Sequence, residues 1–556
     1  MRYGIGICVV AVGIASAAEK ASLLAILRQE LERNAAVLRT QSQPAYFLAY
    51  QVTDLQTVTI EAQAGKLRRS LEQRSRWLDV DLRIGQYELD NTRPLRESFG
   101  FVERPYPVQL PLGEDERTLR QLVWYATMQA YDKAAEEYAK VIAGRAVRVR
   151  EADSVADFSQ EQPRREQRLS PHPTVDTAFW GQRVRRLSVL FAGHPWIYSH
   201  RVSLQVSSAQ KFLVNTEGTQ LAWSERGIFL SVAAHTRAED GMELPLYRTY
   251  FAFDFKELPS EERIRQDIER MIELLRRLRE APILETYAGP AILSGEAAAV
   301  FFHEILGHRL EGHRQKDPQS AQLLRDFLGK QILPSFLDVV FDPLQRYRDG
   351  VPLAGSYTYD DEGVAAQRVV VVEKGVLRNF LLNRTPIPGF AHSNGHGRRQ
   401  PGMRTVARQS NLLVVARESV SPEELRQRLR EECRRQGLEF GLLFDAVEGG
   451  FTFTARTIPN AFNVMPLVVY KVYADGRPDE LVRGVDLIGT PLTTFAHIVA
   501  ASSEVGVFNG ICGAESGNIP VSASSPSLLV SRIEVQKKAK SDERPPILPP
   551  PFVQSE

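Results

Sequence analysis

The chain has 556 residues, 43% hydrophobic and 25% charged, with 69 Lys and Arg against 68 Asp and Glu. That is ordinary globular composition, long enough for two or more domains. A formal net charge of +1 gives no reason to expect nucleic acid or an anionic membrane as partner. Basic clusters such as Arg164-Arg165 and residues 183–186 lack interleaved aromatics and read as solvated faces.

At the N-terminus Arg2 precedes the apolar run 5–14, and Ala15-Ser16-Ala17-Ala18 supplies small residues before Glu19. A basic start, a short apolar run and a small-residue cleavage site describe a secretory signal over residues 1–18, removed from a periplasmic or secreted protein. The run is too short to span a bilayer, and no cysteine stands at the cleavage point to take a lipid, so stable membrane insertion is not expected. Of the 3 cysteines, Cys8 leaves with the signal. Cys433 and Cys512 remain, too few for a disulfide framework, although a bridge between them is one reading.

Residues 21–40 are an amphipathic helix on the spacing of Leu23, Leu24, Ile26, Leu27 and Leu31. Residues 47–63 and 75–85 alternate apolar with polar and predict strands. Helical periodicity returns over 117–142, and residues 186–255 read mostly as strands. Ser260 with Glu261 and Glu262 caps a helix running to about Arg279. Together, residues 19–283 form an N-terminal α+β domain. A second, sheet-rich domain spans 284–541, with strands at 291–293, 368–372 and 467–472. Its polar loops fall at 360–363, 393–397 and 448–450. Residues 542–556 form a Pro-rich disordered tail.

The chemistry concentrates at His303-Glu304-Ile305-Leu306-Gly307-His308, which follows the helical run 295–302. Two imidazoles and a carboxylate in an apolar run are costly unless paired, and a metal ion is the common solution. The histidines would be ligands, and Glu304 a base toward a water polarised by the metal. At about 100° per residue, histidines five apart lie roughly 140° apart around a helix. The helix must therefore end between them, with Gly307 relaxing the backbone, or a π-bulge must intervene. Glu311 and His313 enlarge the set from which ligands could be drawn. His392 and His396 lie in a loop that reads as a polar turn or, alternatively, a substrate contact. Cys512, flanked by Gly510 and Gly513, is the best third ligand: a His-His-Cys set would leave one position open for water. No nucleophile elbow, P-loop or dinucleotide fingerprint is present.

The run from His303 to Gly312 resembles the signature of the TldD/PmbA metallopeptidases, the modulator of DNA gyrase family. The resemblance continues at Tyr359-Asp360-Asp361-Glu362-Gly363, through Arg398-Arg399, and over 510–521. The family's catalytic side carries the H-E-x-x-x-H motif and the late cysteine, so this chain resembles the TldD-like subunit. The resemblance implies a zinc peptidase that cuts short or unfolded peptides within a cavity between two subunits, as a homodimer or with a PmbA-like partner. His303, His308 and Cys512 match the metal ligands and Glu304 the catalytic carboxylate. Asp360, Asp361, Arg398 and Arg399 are loop candidates for substrate or structural contacts. Export departs from the cytoplasmic members, and His313 stands where an acidic residue is expected. The alternatives are a metal-dependent amidase or deformylase, where the ion could be Fe2+, and a non-catalytic zinc-stabilised peptide-binding subunit.

Overall fold

The computed structural model describes residues 8–93, 108–113, 115–147, 155–316, 324–452, 462–489 and 491–538. Residues 1–7 of the expected signal and the expected tail at 542–556 lie outside them; residues 8–18 open a helix, Cys8–Leu38. Among the described residues no helix is long and apolar enough to cross a membrane. The fold is α+β and sheet-rich.

Period-two patterning in the first half becomes four long antiparallel strands, in the order Lys66–Gln86, Ala45–Gln63, Ser199–Asn215, Gln220–Arg237, with shorter strands at both edges. Alternate side chains share a face. On one face Val58, Ile60, Val202, Leu204, Ile228 and Leu230 form a core with helices Thr177–Val189 and Glu261–Glu280. Further along the same strands Tyr50, Val52, Leu78, Phe212 and Val214 do so with Cys8–Leu38 and Glu116–Val147. Ser260 caps the helix Glu261–Glu280, its hydroxyl accepting from the Arg263 amide. The start of the expected strand region is corrected, because Thr177–Val189 is helical. There Arg183 lies 4.8 Å over the Trp180 ring and Arg186 pairs with Glu261 at 2.7 Å, which ties these arginines to neighbouring groups instead of leaving them merely solvated.

The opposite face is polar at its centre. Gln51 stands opposite Asp79 and Leu213 in the ladder, and Lys211 opposite Trp223. These side chains meet loops from the second half of the chain. Lys211 Nζ donates to Asp361 Oδ1 at 2.8 Å, Gln51 Nε2 to the same oxygen at 3.2 Å, and the Gly402 amide to Asp79 Oδ1 at 2.8 Å.

The second half builds an 11-stranded sheet. Strand Gly517–Lys537 pairs with both Val485–Gly489 and Tyr287–Leu293, and with Phe462–Tyr473 and Phe440–Thr452 these close a five-stranded ring. Residues 448–450, read as a loop, belong to strand Phe440–Thr452, whose register shifts between Val447 and Gly449. Glycines at a bulge mimic a loop in sequence.

Candidate metal centre

Helix Gly295–Ile305 starts at Ser294, whose hydroxyl accepts from the Ala297 amide. Gly295 and Ala297 to His303 are buried, as is Ile305, as an apolar run without a polar stripe requires. It docks on strand Ile498–Ala514 through backbone contact. A Cβ on Gly295 would sit 2.3 Å from the Gly506 nitrogen, and one on Gly506 2.2 Å from the Glu296 nitrogen. Two glycines thus set the distance between the histidine helix and the cysteine strand.

The helix ends at Ile305 and a 3-10 turn, Gly307–Leu310, follows. The break falls between the histidines, where their spacing of five requires it, and brings the ring centroids to 5.1 Å. The role expected of Gly307 is corrected: its φ is not positive. A Cβ there would meet Gln409 Oε1 at 1.9 Å, while Gln409 Nε2 donates to the His303 carbonyl at 3.1 Å. That carbonyl lies in the last turn, where helical partners run out. Gly307 provides clearance for the side chain that satisfies it.

Cys512 reaches the same point from strand Ile498–Ala514, opposite Ile519 in the ladder. Its Sγ lies 3.5 Å from His308 Nε2, and one ligand atom from each of His303, His308 and Cys512 lies within 4.8 Å of the others. Nitrogen and sulfur on a tetrahedral zinc are about 3.6 Å apart. All three residues are buried, and His303 Nδ1 has no hydrogen-bond partner among the described residues. Two buried imidazoles and a buried thiol whose ligand atoms converge within 4.8 Å fit a metal ion. Cys433 and Cys512 are free, buried thiols, which removes the disulfide reading.

Electrostatics prepare the thiol. Burial alone would raise its pKa, but the His308 and His303 rings hold Cys512 well below the ordinary thiol range, favouring the thiolate that metals bind. His308 Nδ1 faces Glu311 Oε1 at 3.3 Å, which leaves Nε2 for the cysteine side. Against its burial, His308 is held well above the usual imidazole range by Glu311 and Cys512. Glu311 is wholly buried, yet His308 and Arg314 hold it at about 2; Arg314 Nε donates to its Oε2 at 2.9 Å. A carboxylate on the far nitrogen of an imidazole ligand fixes ring and tautomer. Glu304 Oε2 lies 3.9 Å from His308 Nε2 on a side chain that keeps 13% exposure, so the carboxylate borders both the ligand nitrogen and solvent.

The remaining candidates separate from this cluster. His313 turns to Glu515, 2.5 Å from Oε1, and Arg314 holds the other oxygen at 2.9 Å. The loop at 393–397 is not the polar turn expected. His396 is wholly buried, Nδ1 facing the Asn394 carbonyl and Oδ1 and Nε2 facing Ser410 Oγ, all at 3.1 Å. His392 stays exposed. Asp360 Oδ1 accepts from the Glu362 and Val364 amides, and Oδ2 from Gly397. Asp361 Oδ2 accepts from the Arg399 amide, and Arg398 Nη1 donates to the Gln409 carbonyl. Asp360, Asp361 and Arg398 are buried and Arg399 half-buried, and their hydrogen bonds fasten these loops to one another. Sequence reasoning missed Gln409 and the Glu515 contact; the signal for the latter was an acidic residue three places after Cys512.

An α+β fold that brings two imidazoles, a thiol and a carboxylate to one buried point has the make-up of a metalloprotein. Residues 286–537 match the family described as PmbA/TldA metallopeptidase C-terminal domain. A metalloprotease of Methanothermobacter thermautotrophicus is 28% identical over 337 residues, 59% of this chain and 67% of that one. A zinc metalloprotease TldD homolog of Saccharolobus solfataricus is 24% identical over 246 residues, 44% of this chain and 51% of that one. In fold, the chain is similar to TldE from Thermococcus kodakarensis, with TM-score 0.61 at 12% identity over 92% of this chain and 100% of that one. Over residues 286–537, a little under half of its length, the chain is similar to the PmbA/TldA metallopeptidases.

Proposed function

We propose that the chain is a zinc-dependent peptidase acting on short or unfolded peptides, with His303, His308 and Cys512 as ligands and Glu304 as general base. The convergence of those three ligand atoms within 4.8 Å carries the reading, and the name of the Saccharolobus relative favours zinc. Bound zinc would supply a Lewis acid that polarises the scissile carbonyl and acidifies water. Glu304, at the solvent border of the cluster, takes a proton from the attacking water and passes it to the leaving amine. Glu311 holds His308 in the tautomer that presents Nε2. Export after cleavage near Ala18 and pairing with a second subunit of the same family belong to the proposal.

The test is hydrolysis of unblocked peptides by the zinc-loaded protein. Glu304→Gln should lower kcat/KM by at least about a hundredfold while zinc content and melting temperature stay as in the wild type. Undiminished hydrolysis would remove Glu304 as base.

A further inference from the structure

One guanidinium stands behind two of the three candidate ligands. Strand Asn411–Ala416 runs parallel to Gly517–Lys537 with Asn411 opposite Ser522. Arg408 lies three residues before Asn411, and Cys512 pairs with Ile519, three residues before Ser522. Arg408 is wholly buried. Its Nη2 donates to the Cys512 carbonyl at 2.9 Å and to the Cys512 Sγ at 3.2 Å. Its Nη1 donates to Ser516 Oγ at 2.7 Å and to the Gly517 carbonyl at 3.1 Å. Its Nε faces Glu311 Oε1 at 3.5 Å, the oxygen that also faces His308 Nδ1. The carbonyls and the serine hydroxyl would satisfy a purely structural arginine. The bond to sulfur adds something else, because sulfur is a weak acceptor unless it carries charge.

We propose that Arg408 is a positioning residue that fixes the Cys512 thiolate and draws charge away from its sulfur, so that the thiolate donates less to a bound metal. The inference rests on the reading of Cys512 as a ligand. A thiolate compensates more of the metal's charge than an imidazole does and weakens it as a Lewis acid. Hydrogen bonds to ligating sulfur reverse part of that donation, as they do where they tune redox centres. The two bonds to Ser516 and Gly517 hold the guanidinium in place for this, and the Glu311 contact ties the same cation to the orientation of His308.

The test uses the full chain loaded with cobalt(II), read by its near-ultraviolet sulfur-to-cobalt charge-transfer band. The wild type should show the band and Cys512→Ser should lack it; a wild type without the band overturns the ligand reading itself. With the band present, Arg408→Met should move it to lower energy, because the sulfur becomes more electron-rich, and should weaken cobalt binding about tenfold. Arg408→Lys keeps the cation but cannot hold carbonyl and sulfur in one fork, so its band should fall between the two. That variant carries the test should Arg408→Met not fold. A band that stays at the wild-type energy in a folded Arg408 variant overturns the inference even if affinity falls, since the arginine would then only hold the chain together.

Discussion

Two histidine pairs in this chain invert what their spacing suggests. His392 and His396, four apart, have the separation that aligns side chains on a helix, yet they share no helix and meet no third ligand among the described residues. His303 and His308, five apart, could not align on a regular helix, yet a break between them brings their rings together. Burial does not distinguish the pairs either, because His396 is more deeply buried than His303 or His308. His396 has a polar partner on each ring nitrogen, and burial pushes its pKa down to about 3. His303 keeps a buried nitrogen with no partner among the described residues, and His308 faces a thiol. The chemistry of the neighbours sets the pairs apart: His396 meets a carbonyl, an amide oxygen and a hydroxyl, whereas the ligand atoms of His303 and His308 converge on a thiol.

The contrast can be broken by exchanging the expected outcomes. The largest effect belongs to His308→Ala, which should abolish stoichiometric metal and peptide hydrolysis. His396→Ala should keep its metal while losing about 2–4 kcal/mol of stability from the cavity and stranded Asn394 and Ser410; equilibrium unfolding beside metal analysis separates the two.

Acid sharpens the same point. His396 titrates at about 3 when folded and near 6.5 when unfolded, so the unfolded chain binds its proton first. Its contribution is intact above pH 6.5 and is lost as pH falls toward 3, about 5 kcal/mol for this one group. Urea midpoints from pH 7 to pH 4 should fall less steeply in His396→Gln than in the wild type.

A smaller effect is expected at the break. Gly307→Ala should cost about 1–3 kcal/mol and weaken metal binding, because its methyl displaces Gln409 from the His303 carbonyl. Adding Gln409→Ala should remove the clash, so the double variant should be less destabilised than the sum of the single ones. Additive losses would mean that Gly307 acts through its backbone after all. Least of all, His392→Ala should change stability by under about 0.5 kcal/mol and leave the metal content alone, its side chain being 71% exposed.

Much of this was legible in the sequence. The hexapeptide His303 to His308, the need for a break before His308, the strand alternation from Val58 to Leu82 and Cys512 as a distant donor all follow from residue type and spacing. The helix Thr177–Val189 was hidden because its buried positions, Trp180, Val184 and Leu187, are interleaved with arginines. The loop at 393–397 looked like surface because serine, asparagine and glycine are turn residues. In the fold Ser393 and Asn394 donate to the Leu382 and Phe380 carbonyls instead. Arg408 and Gln409 could not be read at all. Their partners lie more than a hundred residues away along the chain, and only the parallel register of Asn411 with Ser522 brings them level with the site.

The most direct test of the central claim is the metal content of the purified full chain, wild type beside Cys512→Ala, with circular dichroism to confirm that both are folded. The arrangement of His303, His308 and Cys512 predicts one zinc per chain in the wild type and a clear loss from the variant. Stoichiometric zinc in a folded Cys512→Ala protein would contradict it.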